Sequence, residues 1–293
     1  MRATRMSMRA QSALELLMNY SWALVIIAVA LAGLFALGVF NTSNFAPRAT
    51  PGSCYIYRPD GPLSAAGIAL TGTCSGALPE FVATFASASS QYAAIPNSGT
   101  FYPSAVTVTA WVYMAGNPSG SQIVAGNTAE SSGGWLLWID PSYVVVFGVY
   151  TSSWITGGTS ANLFGAAAWH QVAATWDGSK FYIYVDGVQK AGPVTASGTM
   201  GNNAQPLDIG RFLTGVDYFN GQMSNIQVYN ASLSANDINA LYLEGMGGAP
   251  LVLQNLVGWW PLNQNVNDYS GNANNATSSS NSYTGTISGY TAS

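Results

Sequence analysis

The sequence WHQVAATWDG, residues 169–178, is followed after one serine by KFYIYVDGV at residues 180–188. In both runs apolar and polar side chains alternate with a period of two, which indicates β-strands with one buried face. Asp177-Gly178 and Asp186-Gly187 bound the runs, and glycine accepts the positive φ angles that tight turns require. The two runs therefore predict a pair of strands bounded by tight hairpin turns.

The same period-two pattern continues through most of the chain after residue 80. It recurs at Ala105–Tyr113, Gly134–Trp138 and Tyr143–Tyr150. After residue 45 only Ser234–Glu244 is typical of a helix, because Ser234 can cap its N-terminus and apolar side chains share one of its faces. Many short strands at regular spacing predict an all-β fold, a sandwich or jelly roll.

Three stretches resemble the laminin-G/concanavalin-A-like family. They are similar to its first core strand, its central hairpin, and its closing strand with the following helix: FASASSQYAAIP at 85–96, WHQVAATWDG with YVDG at 169–187, and FNGQM through VY and LS at 219–234. Together they cover roughly residues 80–245. The resemblance implies a jelly-roll β-sandwich with sugar-binding relatives, some of which hydrolyse glycans and many of which bind calcium.

The segment LVGWWPL at residues 256–262 looks like the opening strand of such domains, yet it lies near the end of the chain. Either it is a fragment of a second copy, or the chain is permuted and this strand fills the place left vacant beside residues 80–95. Its two tryptophans would be exposed if it stayed unpaired. Because residues 256–293 are too few for another sandwich, we expect them to complete the same domain.

Charged side chains are unusually scarce. They make up 7% of the 293 residues, whereas a globular domain normally carries about 25%, and the net charge is −4. Such a chain offers no basic face for the phosphates of a nucleic acid. We therefore exclude nucleic acid as a partner and expect a folded, weakly acidic domain.

The N-terminal region contains a candidate membrane segment. Trp22–Phe40 holds only apolar side chains and glycine, a run long enough to cross the roughly 30 Å hydrocarbon core as a helix. Arg2, Arg5 and Arg9 precede this run, and positive residues stay on the cytoplasmic side of a membrane. The precursor is thus predicted to be a single-pass membrane protein with a cytoplasmic N-terminus and an external domain.

The residues just before this run, RAQSALELL, resemble the class III signal peptide of archaeal type IV pilins. In that family a prepilin peptidase cuts before the apolar stretch, here between Ala10 and Gln11, and the helix stays on the mature protein. The resemblance implies that Glu15 neutralises the new α-amine of Gln11 in a neighbouring subunit as the helices assemble. An ordinary signal peptide or signal anchor is the alternative interpretation.

Four regions follow from these patterns: a leader at 1–10, a transmembrane and pilin-core helix at 11–45, a Pro/Gly-rich linker at 46–79 and the β-sandwich at 80–293. Cys54 and Cys74, the only cysteines, both fall in the linker. Because an even number of cysteines outside a membrane is most simply paired, we predict a disulfide between them. Closing this loop stabilises the fold by about 3 kcal/mol in the chain-entropy model.

The carboxylates do not follow the pattern of a glycosidase. Retaining hydrolysis needs two carboxylates about 5 Å apart. Here Asp177 and Asp186 belong to turns, and His170 has no nucleophile motif beside it. We therefore predict that the protein is not an enzyme and that it binds an extracellular glycan or protein.

Two residues are candidates for contact with a ligand or a metal. Trp154 lies among Ser, Thr and Gly residues, which predicts an aromatic ring on a loop that can stack on a sugar. Asp268 lies near the Ser-Gly-Asn segment, where relatives often hold calcium, but Ser224-Asn225 stand where an acidic pair is frequent. A hard cation prefers several carboxylates, so calcium is the minor alternative to a protein without a cofactor.

Three sequons predict N-glycosylation outside the cell. They begin at Asn41, Asn230 and Asn275, and each has the form N-x-Ser/Thr. A glycan coat would keep a surface with so few charges soluble.

These features together predict a subunit of an archaeal type IV pilus-like surface filament, whose laminin-G-like head serves adhesion or binds a glycan or protein. Its partners are then the membrane, the prepilin peptidase and further copies of itself, bound through the N-terminal helix. A membrane-anchored lectin that does not polymerise is the first alternative. A surface glycoside hydrolase is the second.

Mass spectrometry of the mature protein tests the predicted processing. We expect an N-terminus at Gln11, because the peptidase cuts after Ala10, whereas Met1 would support the anchored lectin. Glu15→Ala is expected to abolish fibres, since breaking a buried ion pair costs about 3–5 kcal/mol. Normal fibres from this variant in electron micrographs would contradict the assembly model.

Overall fold

The computed structural model describes residues 25–32, 54–55, 69–71, 78–79, 81–114, 116, 118–128, 132–160, 167–212, 215, 217–279 and 281–284. For residues 54–55, 69–71 and 282–284 the description covers the backbone alone. The chain forms two compact units, residues 1–48 and residues 49–293. Each unit is described by itself.

The N-terminal unit contains one described element, helix α1 at residues 25–32. Its large apolar side chains are exposed, from 45% for Leu31 to 66% for Val29. No helix within the described part of the chain combines the length and the apolar character needed to cross a membrane. The rest of the helix expected at residues 11–45 lies outside the described residues.

The C-terminal unit consists mainly of β-strands, as the sequence predicted. They are β1 (Cys54–Tyr55), β2 (Ala69–Thr71), β3 (Leu78–Pro79), β4 (Val82–Phe85), β5 (Ala93–Ile95), β6 (Val106–Tyr113), β7 (Gln122–Gly126), β8 (Trp135–Ile139), β9 (Val145–Tyr150), β10 (Trp154–Gly158), β11 (Trp169–Trp176), β12 (Lys180–Val185), β13 (Val188–Thr195), β14 (Leu207–Ile209), β15 (Gly221–Tyr229), β16 (Leu256–Trp260), β17 (Thr277–Ser278) and β18 (Ser282–Thr284). Helix α2 (Ala235–Glu244) follows β15.

Two antiparallel sheets form the sandwich. The seven-stranded sheet has the order β10-β9-β8-β7-β14-β5-β17, and the eight-stranded sheet has the order β13-β12-β11-β6-β15-β4-β18, with β16 also paired to β15. Neighbours such as β6 and β15 are far apart in sequence, as jelly-roll connections require. The short strands β1, β2 and β3 form a separate three-stranded sheet within the segment predicted as a linker.

The hairpin predicted from the quoted stretch is confirmed, since β11 pairs antiparallel with β12. The Asp177 carboxylate accepts hydrogen bonds from the backbone N–H groups of Ser179 and Lys180, at 2.8 and 2.7 Å, and so fixes the turn between the two strands. Asp186 and Gly187 have φ angles of 50° and 72°. This is the left-handed pair that a two-residue hairpin turn requires.

The core lies between the sheets, where large aromatic side chains from both meet. Trp135, Trp176 and Trp260 are fully buried, and their indole N–H groups donate to backbone carbonyls at 3.2, 2.7 and 3.0 Å. Phe147 and Phe181, from opposite sheets, meet edge to face with ring centroids 5.3 Å apart. These side chains bury large apolar area without leaving a polar atom unpaired, which stabilises the sandwich.

The eight-stranded sheet carries a second apolar layer on its outer face, beneath α2. Ile238 of the helix is fully buried there, and Tyr242 stacks on Trp111 with ring centroids 5.6 Å apart. The predicted cap at Ser234 is confirmed, because Ser234 and Asp237 exchange the reciprocal hydrogen bonds of a capping box. Helix α2 therefore shields the middle of this face from solvent.

Residues 85–96 do not form one strand, contrary to what the resemblance implied. Phe85 ends β4 in the eight-stranded sheet, whereas Ala93–Ile95 belongs to the seven-stranded sheet. Between them lies a single 3₁₀ turn at Ser87–Ser89, and Ser90 takes a left-handed conformation with φ 52°. Small polar residues thus carry the chain from one sheet to the other.

Residues 256–284 join the same sandwich. Strand β6 pairs along one side of β15. On the other side, β4 pairs with residues 221–223 of β15 and β16 pairs with residues 226–229, so β16 follows β4 along the same edge. The segment at residues 256–262 was expected to fill the place beside residues 80–95, but the strands that pair there with β5 and β4 are β17 and β18. Trp259 and Trp260 are buried, with 1% and 0% of their surface exposed.

Urea unfolding tests whether β16 belongs to the core. Trp260→Ala is expected to lower the free energy of unfolding by about 3–5 kcal/mol, the usual cost of removing a buried tryptophan. Val188→Ala is the control, because that side chain is 51% exposed, and its effect should stay within about 0.5 kcal/mol. Equal effects of the two variants would contradict the placement of β16.

Candidate functional site

The outer face of the seven-stranded sheet carries a row of aromatic side chains, and within the described part of the C-terminal unit no helix covers it. In β8, Trp135 and Leu137 point into the core, so Leu136 and Trp138 point outward. We call this surface the aromatic face; its members are Tyr92, Ile123, Leu136, Trp138, Trp154, Asp208, Arg211, Phe212 and Tyr218. It is the candidate functional site.

An apolar cluster forms the centre of the aromatic face. Ile123, Leu136 and Phe212 are buried there, and Trp138 and Trp154 pack against them half-buried. Trp154 was expected on a loop, but it is the first residue of the edge strand β10. The short run WITGG holds too few residues for its alternation to be recognised in sequence.

An ion pair lies on the part of the aromatic face next to β5, where the carboxylate is buried and the arginine is half-buried. Arg211 Nε donates to Asp208 Oδ2 at 2.8 Å and Arg211 Nη2 donates to Asp208 Oδ1 at 3.4 Å. The guanidinium carbon lies 3.5 Å from the centroid of the Tyr92 ring, and the Tyr218 ring lies 6.5 Å from that of Tyr92. The cation is thus held between a carboxylate and aromatic rings.

Burial changes the pKa of both members of this ion pair. It raises the pKa of the Asp208 carboxyl, although the hydrogen bond and the positive charge of Arg211 act in the opposite direction. For Arg211, burial lowers the pKa, but the hydrogen bond and the negative charge of Asp208 outweigh it, so the pKa lies above its ordinary value. The arginine is therefore charged at all relevant pH values, and the Asp208 carboxylate balances that charge.

Sequence reasoning did not identify Tyr92, Asp208, Arg211 or Tyr218 as site residues. One signal was available, since Arg211 is the only arginine after residue 58. A single arginine in a domain so poor in charge suggests a buried partner. Its partner lies three residues away, and the tyrosines come from segments that only the fold brings together.

Asp268 does not have the surroundings of a calcium ligand. Its Oδ1 accepts from the backbone N–H groups of Trp259 and Ser270, at 2.9 and 2.8 Å. Its Oδ2 accepts from the Ser270 hydroxyl and from the Asn274 N–H, at 2.8 and 2.9 Å. Hydrogen-bond donors thus occupy both oxygens, where a cation would need further acceptors, so these residues do not fit calcium.

The polar side chains of Ser224 and Asn225 also form hydrogen bonds with other parts of the protein. Asn225 has a φ of 51°, and its amide oxygen accepts from the Trp259 indole N–H and the Gln227 amide at 2.7 and 2.9 Å. Its amide nitrogen donates to the backbone carbonyl of Gly248. Both residues are buried, and they fasten β15 to β16 and to the segment after α2.

Several of the remaining carboxylates that the structure describes hold turns and caps. Asp186 Oδ2 lies 2.8 Å from His170 Nδ1, while its Oδ1 accepts from the backbone N–H of Gln171. Asp140 accepts from two backbone N–H groups of its own turn. Among the described residues, no three of the types His, Cys, Asp and Glu come together as a metal site would require.

The structure describes only some of the other predicted site residues. Asn230 and Asn275 are exposed, as glycosylation requires, although each already accepts one hydrogen bond through its side-chain oxygen. Ala10, Gln11, Glu15, Asn41 and Cys74 lie outside the described residues. The disulfide, the processing site and the assembly pair therefore stay predictions.

Comparison with known proteins places the fold in a defined group. The sequence profile of the concanavalin A-like lectin/glucanases superfamily matches residues 87–239. The crystal structure of a candidate carbohydrate-binding protein from Bacteroides ovatus is similar, with a TM-score of 0.56 and 18% identity over 70% of this chain. The match spans 59% of the length of that protein. At 18% identity, this similarity is evidence for the fold alone.

More distant similarities extend to two further sandwiches. The heptameric SAP-like pentraxin of Limulus polyphemus matches with 13% identity and a TM-score of 0.43, over 59% of this chain and 85% of its own. The CBM40 of the Ruminococcus gnavus IT-sialidase, solved with α2,3-sialyllactose, matches with 12% identity and a TM-score of 0.43, over 52% and 93%. No curated protein sequence matches this chain.

Removal of Arg211 tests the electrostatics of the aromatic face. Arg211→Met leaves the Asp208 carboxylate, whose side chain is 2% exposed, without its cation, and roughly 3 kcal/mol of stability should be lost at neutral pH. The pKa of Asp208 then rises further, so the loss should shrink as the pH falls and the carboxyl becomes protonated. Unfolding in urea at several pH values measures both effects.

Lys190→Met is the matched control, since this exposed lysine lies on the outer edge strand β13 and should change stability by less than about 0.5 kcal/mol. A loss for Arg211→Met that is constant with pH would show that the Asp208 charge does not depend on Arg211.

Proposed function

The chain belongs to the concanavalin A-like lectin/glucanases superfamily, and on that premise we propose that its sandwich is a carbohydrate-binding domain whose aromatic face holds the glycan. Aromatic rings suit this role because their faces stack on the C–H faces of sugar rings. The half-buried Trp138 and Trp154 offer such rings on a rigid sheet. Sites on strands keep their geometry better than sites on loops.

One observation carries the proposal: the two outer faces of the sandwich differ. Trp111 and Trp169, on the outer face of the eight-stranded sheet, are 3% and 5% exposed because Tyr242 and Met246 pack over them. On the aromatic face, half-buried aromatic rings border the apolar cluster. Within the described part of the C-terminal unit no helix packs over these rings. An accessible aromatic surface on a soluble domain marks a binding site.

The charge balance of the aromatic face favours an uncharged glycan. Among the described residues that form it, Arg211 is the one cation, and the Asp208 carboxylate already accepts two hydrogen bonds from it. An acidic sugar would place a second negative charge next to Arg211, where the Asp208 carboxylate would repel it. A neutral sugar avoids this penalty, and its hydroxyl groups can still accept hydrogen bonds from Arg211.

We propose binding without hydrolysis. The superfamily includes glucanases, whose mechanism needs two carboxylates placed around one glycosidic bond. Asp208 is the only carboxylate among the nine residues that define the aromatic face, and it is held by Arg211. Asp217 lies beside that face, since its backbone carbonyl accepts from the N–H of Phe212. The donor set around Asp268 likewise supports sugar binding that does not depend on calcium.

The N-terminal region determines how the domain is displayed. Its charge-free apolar run supports a membrane anchor, so we propose a lectin-like domain on the cell surface. Assembly into a type IV pilus-like filament is a second candidate. It is favoured by the pattern at residues 9–17, where a basic residue and Gln-Ser precede Glu15 and an unbroken apolar run.

Glycan binding is tested with the purified domain and a panel of neutral and acidic oligosaccharides in isothermal titration calorimetry. We expect binding of neutral chains, and Trp138→Ala should weaken it at least about tenfold, or 1.4 kcal/mol, because it removes a central aromatic contact. Chelation of calcium and added salt should leave the affinity unchanged, since neither a metal nor a net charge contributes.

Tyr182→Ala is the control, because this half-buried tyrosine lies on the outer face of the other sheet. It should bind as the wild type does. If the wild type binds no member of the panel, or if both variants lose affinity equally, the aromatic face is not the glycan site.

A further inference from the structure

Gly148 occupies an unusual position on the aromatic face. It lies in the middle of β9, with Leu136 of β8 opposite on one side and Thr156 of β10 opposite on the other. In β9 the neighbours Phe147 and Val149 point into the core, so position 148 points outward, toward the candidate site. A side chain at this position would stand at the centre of the face.

The indole of Trp154 fills the space that such a side chain would need. A Cβ atom built on Gly148 would lie 2.5 Å from Cζ2 and 2.9 Å from Cε2 of Trp154, and 3.1 Å from Cγ2 of Thr156. The two distances to the indole are shorter than real Cβ atoms show, so the Trp154 ring would have to move. Trp154 begins β10 opposite Tyr150, so its ring must extend along the sheet to lie over Gly148.

The backbone gives no reason for glycine at this position. Gly148 does not have a positive φ, and it forms regular antiparallel pairs with both neighbouring strands. Glycine in the interior of a strand weakens it and often marks a close approach by another group. Here the approaching group is the Trp154 ring.

The ring that covers Gly148 joins the apolar cluster with Leu136 and remains half-buried. One side of the indole therefore rests on the sheet, and part of the ring stays accessible. From these contacts we infer that Gly148 is a positioning residue, which lets Trp154 lie flat as a stacking platform for the C–H face of an uncharged pyranose ring. This inference rests on the proposed function.

The surroundings of the platform match that ligand chemistry. Thr156, directly opposite Gly148, is exposed and carries a hydroxyl group, and the half-buried Tyr150 faces Trp154 across the strand pair. Both side chains are neutral hydrogen-bonding groups. A pyranose stacked on the indole would find partners for its hydroxyl groups in these two side chains, neither of which carries a charge.

Another glycine of the same sheet gives a matched comparison. Gly158 also lies in β10, but a Cβ there would meet the methyl groups of Val144 and Val146, at 2.7 and 3.4 Å, and no aromatic ring. Gly158→Ala therefore adds the same atom at a site where a valine methyl group, and no aromatic ring, must shift. Loss of binding that is specific to Gly148→Ala would then reflect the position of Trp154.

A double-mutant cycle tests the inference with a neutral oligosaccharide that the wild type binds in calorimetry. Gly148→Ala should weaken binding about tenfold, because the added methyl group lifts the indole off the sheet. Trp154→Ala should weaken binding at least as much, and adding Gly148→Ala to it should change nothing further, since the residue acts through the ring. Gly158→Ala should bind as the wild type does.

Fluorine NMR of the wild type, labelled with 5-fluorotryptophan, gives a second readout that does not depend on Gly148→Ala folding. The Trp154 resonance, assigned by its loss in Trp154→Phe, should shift when the same oligosaccharide saturates the protein. The resonance of Trp176, which is fully buried in the core and assigned through Trp176→Phe, should not move.

The outcomes separate this inference from the proposed function. If the wild type binds no glycan, both fail together. If it binds a glycan and Trp138→Ala weakens binding, but Gly148→Ala and Trp154→Ala bind normally or the Trp154 resonance stays fixed, the platform is refuted and the proposed function stands. An additive loss in the double variant would also refute it, because Gly148 would then act independently of the ring.

Discussion

The packing of two antiparallel sheets against each other is the interaction on which the rest of this structure depends. Each sheet brings fully buried aromatic rings to the shared interior, among them Trp135 from one sheet and Trp176 and Trp260 from the other. Their indole N–H groups all donate to backbone carbonyls, so a large apolar area is buried without an unpaired polar atom. This core fixes which side of every strand faces outward.

The different coverage of the two outer faces follows from that arrangement. The strand β15 leads directly into α2, and the helix has a hydrophobic side that must be buried, so it folds back onto the eight-stranded sheet. No comparable helix follows a strand of the seven-stranded sheet among the described residues. The aromatic rings there stay half-buried, and this asymmetry supports a role in binding.

Polar groups of the domain are satisfied largely by one another. Asp268 is enclosed by N–H and hydroxyl donors, and Asn225 links three parts of the chain through its amide. Asp208 and Arg211 neutralise each other on the aromatic face. These groups are already paired within the protein, which supports the proposed recognition through stacking and neutral hydrogen bonds.

The sequence by itself determined the strands of the central hairpin, the cap at Ser234 and the class of fold, because periodicity and turn residues act over a few positions along the chain. It could not show that residues 85–96 cross between the sheets, since a strand pattern does not identify the sheet. Only the tertiary structure decided that Trp154 lies over Gly148 and that Arg211 meets Tyr92. Arg211 and Tyr92 are distant in sequence, and local patterns carry no information about such a pair. Trp154 and Gly148 are only six residues apart, but their contact depends on the register in which β10 pairs with β9, which the short run at 154–158 does not reveal.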